Sequence, residues 1–535
     1  MNLLRLPQEL LVGILLNLGP SDLLACGLVC HGLNSILGTP ALRHQVLLAK
    51  AGMRQTISGE LSLLDNIKAL EEYQTAWRSL TQRTTPHTDQ HDGLRYLKIA
   101  GDALALLSDK TLRLIRPPCS IRRVQSQTWS IDLSVAQFDI HCCAVDSSQG
   151  LIAISGVDMS SPQPMQCHLV SLSGASLRAY HPDAAVQAFT IPTYVAYAWS
   201  REVKICGDLV GWVWRDHSND LRVYNWKTGA LVWQHHSAHD AIHFTFLDET
   251  RLMVACENTL RIYVVDAYIR LDPSPHAAPP WASALADHPQ PICTLEGLPL
   301  VGIDVTSNIL AFESQRPVAN DDAAFERDAS LTVLAMLFMA GTSTTIEKYL
   351  YVIPVATLLG CLDSLIDENT FHAVPPHPPP SIPWDSWGAS GGCLLPILNI
   401  FDFMPLGVSV MGSTCAIISS KTYDFATLDA FIFDFHALAH PESAADDDRE
   451  ILAQFMDSAR VVRSAKLLRG PIRNTLPYRV VHKTVTYNDD PDFAAAVTRH
   501  SFALLEDGLA VMSTTMEDDI WRLRLFTVDK PAHRK

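Results

Sequence analysis

The chain has 535 residues, of which 48% are apolar, an ordinary proportion for a globular protein with a sizeable buried core. Asp and Glu number 57 against 41 Lys and Arg, which gives a formal charge of −16. Because binding to a phosphate backbone needs a basic surface, this balance argues against nucleic acid as a general partner. The length allows two or three domains, or one large repeat domain.

The 12 cysteines show no metal-ligand spacing, since no Cys-x-x-Cys occurs. We expect most of them to be small buried hydrophobes in a reducing compartment, the cytoplasm or the nucleus. Residues 7–9 interrupt the apolar start of the chain, which argues against a secretory signal. The apolar runs at 331–340 and 394–418 are too short or too interrupted by Pro and Asp to cross a bilayer, so no membrane partner is expected.

Three short helices are predicted at the start of the chain. The first spans residues 6–18, and its apolar residues recur on successive turns at Leu6, Leu10, Ile14 and Leu18. The Gly-Pro pair at 19–20 ends this helix; a second helix carries Leu23, and a third carries Val29 and Cys30. So few residues cannot bury much surface alone. Either they pack only on the rest of the chain, or one apolar face is reserved for a partner.

The order and spacing of these residues resemble the F-box motif, over about residues 3–45. The matching segments are Leu-Pro-x-Glu-Leu-Leu at 6–11, Asp-Leu-Leu at 22–24 and Val-Cys at 29–30. One departure is Leu33, where many F-boxes place Trp. In that family such residues bind the Skp-type adaptor of cullin–RING ubiquitin ligases. The resemblance implies an F-box domain at residues 1–45 with these adaptor-binding residues: Leu6, Pro7, Leu10, Leu11, Ile14, Leu15, Leu18, Leu23, Val29 and Cys30.

Helix is predicted to continue beyond the motif. Pro40 begins a helix that Gly52 ends, and a second helical stripe follows at Leu64, Ile67, Leu70, Tyr73, Trp77 and Leu80. The polar run 84–89 closes this part of the chain. Residues 46–92 are therefore predicted to form a rigid helical linker.

From residue 93 to residue 535 short apolar runs alternate with turn clusters, a pattern typical of an all-β repeat architecture. Four strand-like runs between 203 and 233 form the clearest unit, which resembles a WD repeat with Tyr224 and Asn225 in the Trp-Asp place and Ala238 and His239 in the Gly-His place. The sequence thus predicts a multidomain α+β chain, in which a small all-α F-box and a helical linker precede a large all-β propeller of about seven blades. The predicted blade segments are 94–116, 139–172, 203–233, 242–265, 293–353, 394–435 and 478–528.

Three insertions, at 272–291, 375–383 and 440–450, are rich in Pro, Ala or acidic residues and are expected to be exposed, mobile loops. A second resemblance extends along nearly the full length. The F-box, the helical stretch at 70–77 and short motifs at 207–208, 223–229, 246–248 and 383–388 together resemble F-box proteins of mushroom-forming fungi.

Other candidate sites are weaker. His235, His236 and His239 are close in sequence but lack a thiolate or carboxylate set that would hold zinc. A basic series could bind an acidic segment, although a solvated helix explains it more simply: Arg460, Arg463, Lys466, Arg469 and Arg473. Trp384 and Trp387 either mark a recognition loop or anchor that loop to a blade edge. No nucleophile elbow, Walker loop or dinucleotide fingerprint occurs, so no catalytic residue, metal or cofactor is predicted.

These observations favour a non-enzymatic substrate receptor, in which the F-box holds the Skp-type adaptor and, through it, a cullin scaffold, while the propeller binds a protein target of unknown identity. A propeller scaffold that acts without the adaptor remains an alternative. A propeller hydrolase is the third, less favoured, interpretation.

Overall fold

The computed structural model describes the greater part of the chain. The described residues are 5–56, 62–83, 96–100, 103–108, 111–134, 138–158, 165–191, 199–215, 219–237, 242–256, 259–266, 291–298, 306–314, 323–341, 346–365, 380–388, 391–397, 403–421, 424–436, 461–462, 468, 472–474, 476–486, 497–515 and 521–528.

Four helices form an N-terminal helical module: α1 (Gln8–Leu15), α2 (Pro20–Val29), α3 (His31–Leu37) and α4 (Pro40–Lys50). A proline begins α2 and α4 at the position where its missing N–H costs no helical hydrogen bond. Leu15, Leu23, Leu33 and Leu42 form a core within the module. Leu33, at the position where an F-box often has Trp, is therefore an internal packing residue.

A linker of one helix and two short strands follows: β1 (Met53–Gln55), α5 (Leu63–Ser79) and β2 (Thr81–Arg83). The Ser62 side chain accepts a hydrogen bond from the Asp65 amide and caps the start of α5. The helix ends at Leu80, which is buried and has a φ of 30°. This left-handed residue turns the chain directly from α5 into β2.

Four antiparallel blades of four strands come next. Blade 1 contains β3 (Tyr96–Ala100), β4 (Ala103–Leu107), β5 (Thr111–Arg116) and β6 (Gln127–Asp132); blade 2 contains β7 (Phe138–Asp146), β8 (Leu151–Asp158), β9 (Met165–Ser171) and β10 (Ala188–Ile191). Blade 3 contains β11 (Trp199–Cys206), β12 (Leu209–Arg215), β13 (Asn219–Asn225) and β14 (Ala230–Ser237); blade 4 contains β15 (Ile242–Phe246), β16 (Arg251–Cys256), β17 (Thr259–Val264) and β18 (Cys293–Glu296).

Blade 5 is interrupted by insertions. Its chain order is β19 (Thr306–Glu313), a short strand β20 (Phe325–Arg327) outside the blade, a 3₁₀ turn (Ala329–Leu331), β21 (Val333–Gly341), β22 (Ile346–Pro354), α6 (Val355–Leu365), β23 (Ser381–Ile382), α7 (Trp384–Trp387) and β24 (Cys393–Pro396). The blade itself is β19-β21-β22-β24. Strand β20 pairs with β1, and β23 adds a parallel fifth strand to β18 of blade 4.

Blade 6 consists of β25 (Phe403–Met411), β26 (Thr414–Lys421), β27 (Asp424–Asp434) and β30 (Arg479–Thr486). Between β27 and β30 the chain forms a separate small pair, β28 (Val461–Val462) with β29 (Ile472–Arg473). Blade 7 contains β31 (Val497–Leu505), β32 (Gly508–Thr515) and β33 (Trp521–Thr527). Its fourth strand is β2, from the linker. The seven-bladed propeller predicted from the sequence is confirmed.

The pairing of β2 with β33 closes the ring. The register is Thr81 with Thr527, Gln82 with Phe526 and Arg83 with Leu525. A strand from the stretch predicted to be a helical linker is thus part of the last blade. Without it, β33 would present an unpaired edge.

The strands are apolar on both faces because each blade lies between two others. Along β12, Val210, Trp212 and Trp214 belong to the core shared with blade 2. The alternate residues Leu209 and Val213 belong to the core shared with blade 4. Successive side chains of a strand point to opposite faces, so burial of both faces removes the polar alternation that marks a half-exposed sheet.

Three predicted blade boundaries are wrong. The segments 293–353, 394–435 and 478–528 were each expected to begin a blade, but β18, β24 and β30 are the fourth strands of blades 4, 5 and 6. In each case a long insertion separates the third strand from the fourth. The fourth strand therefore lies closer in sequence to the next blade than to its own.

The insertions themselves were expected to be exposed, mobile loops. For the end of the run 375–383 this expectation is wrong, since Ser381 and Ile382 form β23 and Ile382 is buried. Residues 375–379 lie outside the described residues, as does all of 440–450. The insertion at 272–291 lies outside them too, apart from residue 291.

We predict that deletion of residues 520–535 abolishes the cooperative unfolding of the whole ring. The deletion removes β33, which lies between β32 and β2, so both neighbours acquire unpaired edges. Calorimetry or circular dichroism should show no single transition near the melting temperature of the full chain. Removal of 529–535 alone leaves β33 intact and should leave the transition unchanged. A cooperative melt of the longer deletion at the original temperature would contradict the closed ring.

Candidate functional site

The ten sequence-predicted adaptor-binding residues divide into two groups according to burial. Leu6, Pro7, Leu10, Ile14 and Val29 are exposed. On α1, Leu10 is 55% exposed and Ile14, one turn later, is 46% exposed. Because side chains four residues apart lie on one helix face, the exposed leucines and isoleucine form an outward apolar stripe.

The other five residues point towards the interior of the helical module. Leu11, Leu15 and Leu23 are buried, and Leu18 and Cys30 are partly buried against the module core. In the free chain these side chains hold the three helices together. They therefore position the exposed residues, and Leu18 and Cys30 also keep part of their own surface accessible.

Two exposed apolar residues were missed by the sequence analysis. Leu28 is 90% exposed and Leu16 is 42% exposed. Leu28 and Val29 lie in the last turn of α2, and Cys30 then adopts an extended conformation, with φ −161° and ψ 159°. The helix thus stops before either side chain meets a neighbouring element. The sequence signal for Leu28 was its position directly before the Val29–Cys30 pair.

We call Leu6, Leu10, Ile14, Leu28 and Val29 the exposed apolar set. A row of large exposed apolar side chains, such as the stripe on α1, marks an interaction site more often than an isolated one does. The nearby exposed charges are Arg5, next to Leu6, and Glu9 and Asp22 in the first turns of α1 and α2. Burial lowers the pKa of His44, so this side chain in α4 is neutral near pH 7.

The module is attached to one end of the ring. Leu48, Leu70, Tyr73 and Trp77 from α4 and α5 share a core with residues of blades 1, 6 and 7 and with Phe325 of β20. The core includes residues of the β5–β6 connection, which joins the third and fourth strands of blade 1, and of the end of β25, which leads into the second strand of blade 6. In an antiparallel blade, connections of these two kinds lie at the same end.

The contact region between the helices α4 and α5 and the ring is called the seam. A polar cluster lies within it. The Arg122 side chain is fully buried, and its guanidinium donates to both carboxylate oxygens of Asp507, at 2.8 Å each, and to the Phe325 carbonyl at 2.9 Å. The Tyr73 hydroxyl donates to Asp507 at 2.9 Å. Burial raises the pKa of Tyr73 well above its usual value, so the phenol stays protonated and remains a donor.

The candidate histidines make separate contacts where the structure describes them. His236 lies 2.9 Å from Asp220, whose hydrogen bond raises the pKa of His236, while His235 stacks on Trp233 at a centroid distance of 6.0 Å. His239 is outside the described residues. Over the part of the chain that the structure describes, no group of three or more His, Cys, Asp or Glu side chains could hold a metal ion.

Trp384 and Trp387 are anchors. Both are buried beside Tyr351, and Trp387 Nε1 donates to the Glu296 carbonyl at 3.1 Å. They fasten the insertion of blade 5 onto blade 4, as one of the two sequence interpretations proposed. Of the basic series, Arg460, Arg463, Lys466 and Arg469 lie outside the described residues, and Arg473 lies in β29.

The WD-like unit of blade 3 has a turn that explains the resemblance. Asn225, at the end of β13, accepts hydrogen bonds from the amides of Lys227 and Thr228, at 3.0 Å each. An Asp in the same place would make the same Asx-type turn. Gly229 completes the turn with a φ of +74°, which other residues rarely adopt.

Comparison with known proteins agrees with this division of the chain. Residues 3–49 match the family model described as F-box-like, so the chain carries an F-box-like domain followed by a seven-bladed propeller body. No curated protein matches the sequence. Among the described residues, none of the helices has the length and apolar character needed to cross a bilayer.

Solved propellers resemble the body in fold. The C-terminal WD40 domain of Sif2 is 9% identical, with 83% of this chain and 97% of that chain covered and a TM-score of 0.38. Hsv2 of Kluyvelomyces marxianus is also 9% identical, with 81% and 98% covered and a TM-score of 0.39. The β-propeller domain of the trilobed protease from Pyrococcus furiosus is 6% identical, with 82% and 98% covered and a TM-score of 0.36. Likenesses this distant carry no information about function.

We predict that buried cysteines resist alkylation in the native protein. Burial raises the pKa of Cys293 to about 12, so only about one such thiol in ten thousand is ionised at pH 8. Cys167 and Cys393 are also buried with raised pKa values. Mass spectrometry after iodoacetamide treatment should find the partly exposed cysteines modified first, namely Cys26, Cys30, Cys206 and Cys361. Rapid native labelling of Cys293 would contradict its placement in the blade core.

Proposed function

We propose that this protein is the substrate-recognition subunit of an SCF-type cullin–RING E3 ubiquitin ligase. In this proposal the F-box-like domain binds a Skp-type adaptor, and through it a cullin, while the propeller binds a protein target. The observation that carries the proposal is the exposed apolar set on a domain that matches the F-box-like family over residues 3–49. Such a complex would act in the cytoplasm or nucleus.

The exposed apolar set would form the contact surface with the adaptor. Leu10 and Ile14 on α1, and Leu28 and Val29 at the end of α2, would each lose solvent contact on binding. Burial of apolar surface contributes roughly 25 cal/mol for each Å² removed from water. Leu11, Leu15, Leu18, Leu23 and Cys30 would contribute by fixing the helices that present this surface.

The proposed role is non-enzymatic. A receptor raises the effective concentration of its target near the ligase's charged carrier enzyme, and needs no nucleophile or base of its own. A combination of a small adaptor-binding domain and a propeller is suited to this role, because the propeller has large faces for binding and the helical module has a separate core. If the protein did not bind the adaptor in the following experiments, the alternative role of an adaptor-independent scaffold would be favoured.

We predict that substitution within the exposed apolar set weakens adaptor binding without unfolding the module. Leu10→Ala and Val29→Ala should each cost about 1–3 kcal/mol of binding free energy, because both side chains would be buried in the complex. Calorimetric titration with a purified Skp-type adaptor measures this loss, and circular dichroism should show an unchanged melt.

Two further variants sharpen this test. The double variant Leu6→Ala/Pro7→Ala changes the exposed start of the motif and should also reduce adaptor capture. Leu23→Ala is the matched interior control: it should lower the stability of the module by about 2–5 kcal/mol, because Leu23 is fully buried in the module core. If the exposed-set variants captured adaptor at the wild-type level, the proposed ligase role would be wrong.

We also predict that target binding and target ubiquitination separate. Deletion of residues 1–40 removes α1, α2 and α3 but retains β1, α5 and β2, which pair with or pack on the ring. The shortened protein should still bind its target and raise the target's level in cells, but it should support no ubiquitin ladder. Target co-precipitation and the ladder are measured together for both forms. Loss of the target, or an equal ladder, would contradict the receptor role.

A further inference from the structure

The apolar part of the seam between the helical module and the ring does not by itself fix one orientation. Leu48, Leu70 and Trp77 meet ring residues such as Ile121 and Phe526 within one core. Hydrophobic contact is non-directional and depends mainly on the area buried. Small shifts of α5 along the ring would exchange one apolar contact for another of similar energy.

The polar cluster in the same seam is directional. Arg122, on the connection between β5 and β6, places its guanidinium against both oxygens of Asp507 and 2.8 Å from a Glu506 oxygen. Its Nη1 alone faces both Asp507 oxygens, while its Nε donates to the Phe325 carbonyl, so hydrogen bonds from two nitrogens fix the orientation of the guanidinium. Tyr73 of α5 donates to the same Asp507 carboxylate, so the helix is attached to a point whose position the ring determines.

A second arginine attaches α5 from the other side. Arg327 of β20 donates to the Glu506 carbonyl from Nε at 2.9 Å, and to the Thr414 hydroxyl at 2.7 Å. Its guanidinium carbon lies 5.3 Å from the centre of the Trp77 ring. Tyr73 and Trp77 are four residues apart and therefore on one face of α5, and both face this pair of buried arginines.

The charges of this cluster balance. Arg122 and Arg327 are matched by Glu506 and Asp507, which are adjacent in the turn between β31 and β32. Burial alone would lower the pKa of Arg122, but Asp507 and Glu506 outweigh it and raise that pKa well above its usual value. Buried ion pairs lose about as much hydration as they gain in attraction, so a well-packed apolar replacement is often as stable. Their distinctive contribution is geometry.

We propose that Tyr73, Arg122, Arg327, Glu506 and Asp507 form a docking lock, which selects one orientation of α5 on the ring, and with it the orientation of the helical module, whose α4 packs on α5. The apolar seam supplies the attraction, and the docking lock determines where along the seam α5 stops. The lock holds the module whatever partner the module binds, so the inference goes beyond the proposed ligase role and does not depend on it.

Lateral movement of α5 is also linked to closure of the ring. The helix ends at Leu80, which is fully buried, and the next residue begins β2. A shift of α5 therefore pulls on the strand that pairs with β33. The docking lock and the pairing of β2 restrain the helix at successive positions along its C-terminal half.

The test uses the full-length protein and hydrogen exchange measured by mass spectrometry. Tyr73→Phe removes only the hydroxyl that joins α5 to Asp507 and keeps the ring that packs on Phe325. Exchange over residues 63–79 should accelerate by about tenfold, since a hydrogen bond to a buried charge is lost. Exchange in blade 3 should stay unchanged. Arg54→Ala is the matched control, because it removes a half-exposed ion pair with Glu326 at the same seam.

A second variant separates orientation from stability. Arg122→Met/Arg327→Met/Glu506→Gln/Asp507→Leu replaces all four buried charges with uncharged side chains of similar size. If the docking lock determines orientation, the melting temperature of this variant should be close to that of the wild type. Its distance distribution in small-angle X-ray scattering should be broader, because the module then occupies several positions. Unchanged scattering and unchanged exchange in both variants would overturn the proposal. So would an equal acceleration of exchange in α5 and blade 3, because that result would show a general loss of stability.

Discussion

Three backbone pairs between Thr81–Arg83 and Leu525–Thr527 join the start of the ring to its end. In the other six blades the four main strands follow one another along the chain, and only β23 is added to blade 4 from the insertion of blade 5. Among the described strands, only those of blade 7 pair residues more than 400 positions apart in sequence. Closure of the whole ring depends on this sheet, since an open ring would leave two unpaired strand edges.

The helical module and the ring have separate cores, and α5 connects them. Leu15, Leu23, Leu33 and Leu42 stabilise the module without contributions from the propeller. The residues of α5, in contrast, are part of the ring's own core. The boundary between the two cores therefore lies within the first 50 residues, before β1. The linker between the module and blade 1 packs in the core of the propeller.

The sequence was sufficient to predict the helices before residue 80, the all-β body and about seven blades, because these depend on local periodicity, but it did not predict α6 or α7. It did not predict the membership of β18, β24 and β30, because insertions placed each of them nearer to the following blade. It also did not predict the pairing of β2 or the contact between Arg122 and Asp507, since neither residue type nor spacing indicates a partner hundreds of positions away. At the candidate site, helical periodicity located the stripe on α1 but not Leu28, whose exposure results from the end of α2.

The position of the closing strand has a consequence for synthesis of the protein. The helical module leaves the ribosome before the ring, and its four leucines can pack as soon as residue 42 has emerged. The ring, however, has no partner for β2 until β33 has been made. A nascent chain broken before the last blade would thus consist of a folded helical module attached to an open sheet with an unpaired strand edge. Such a fragment would carry the same exposed apolar set as the complete protein, but on a body that cannot close.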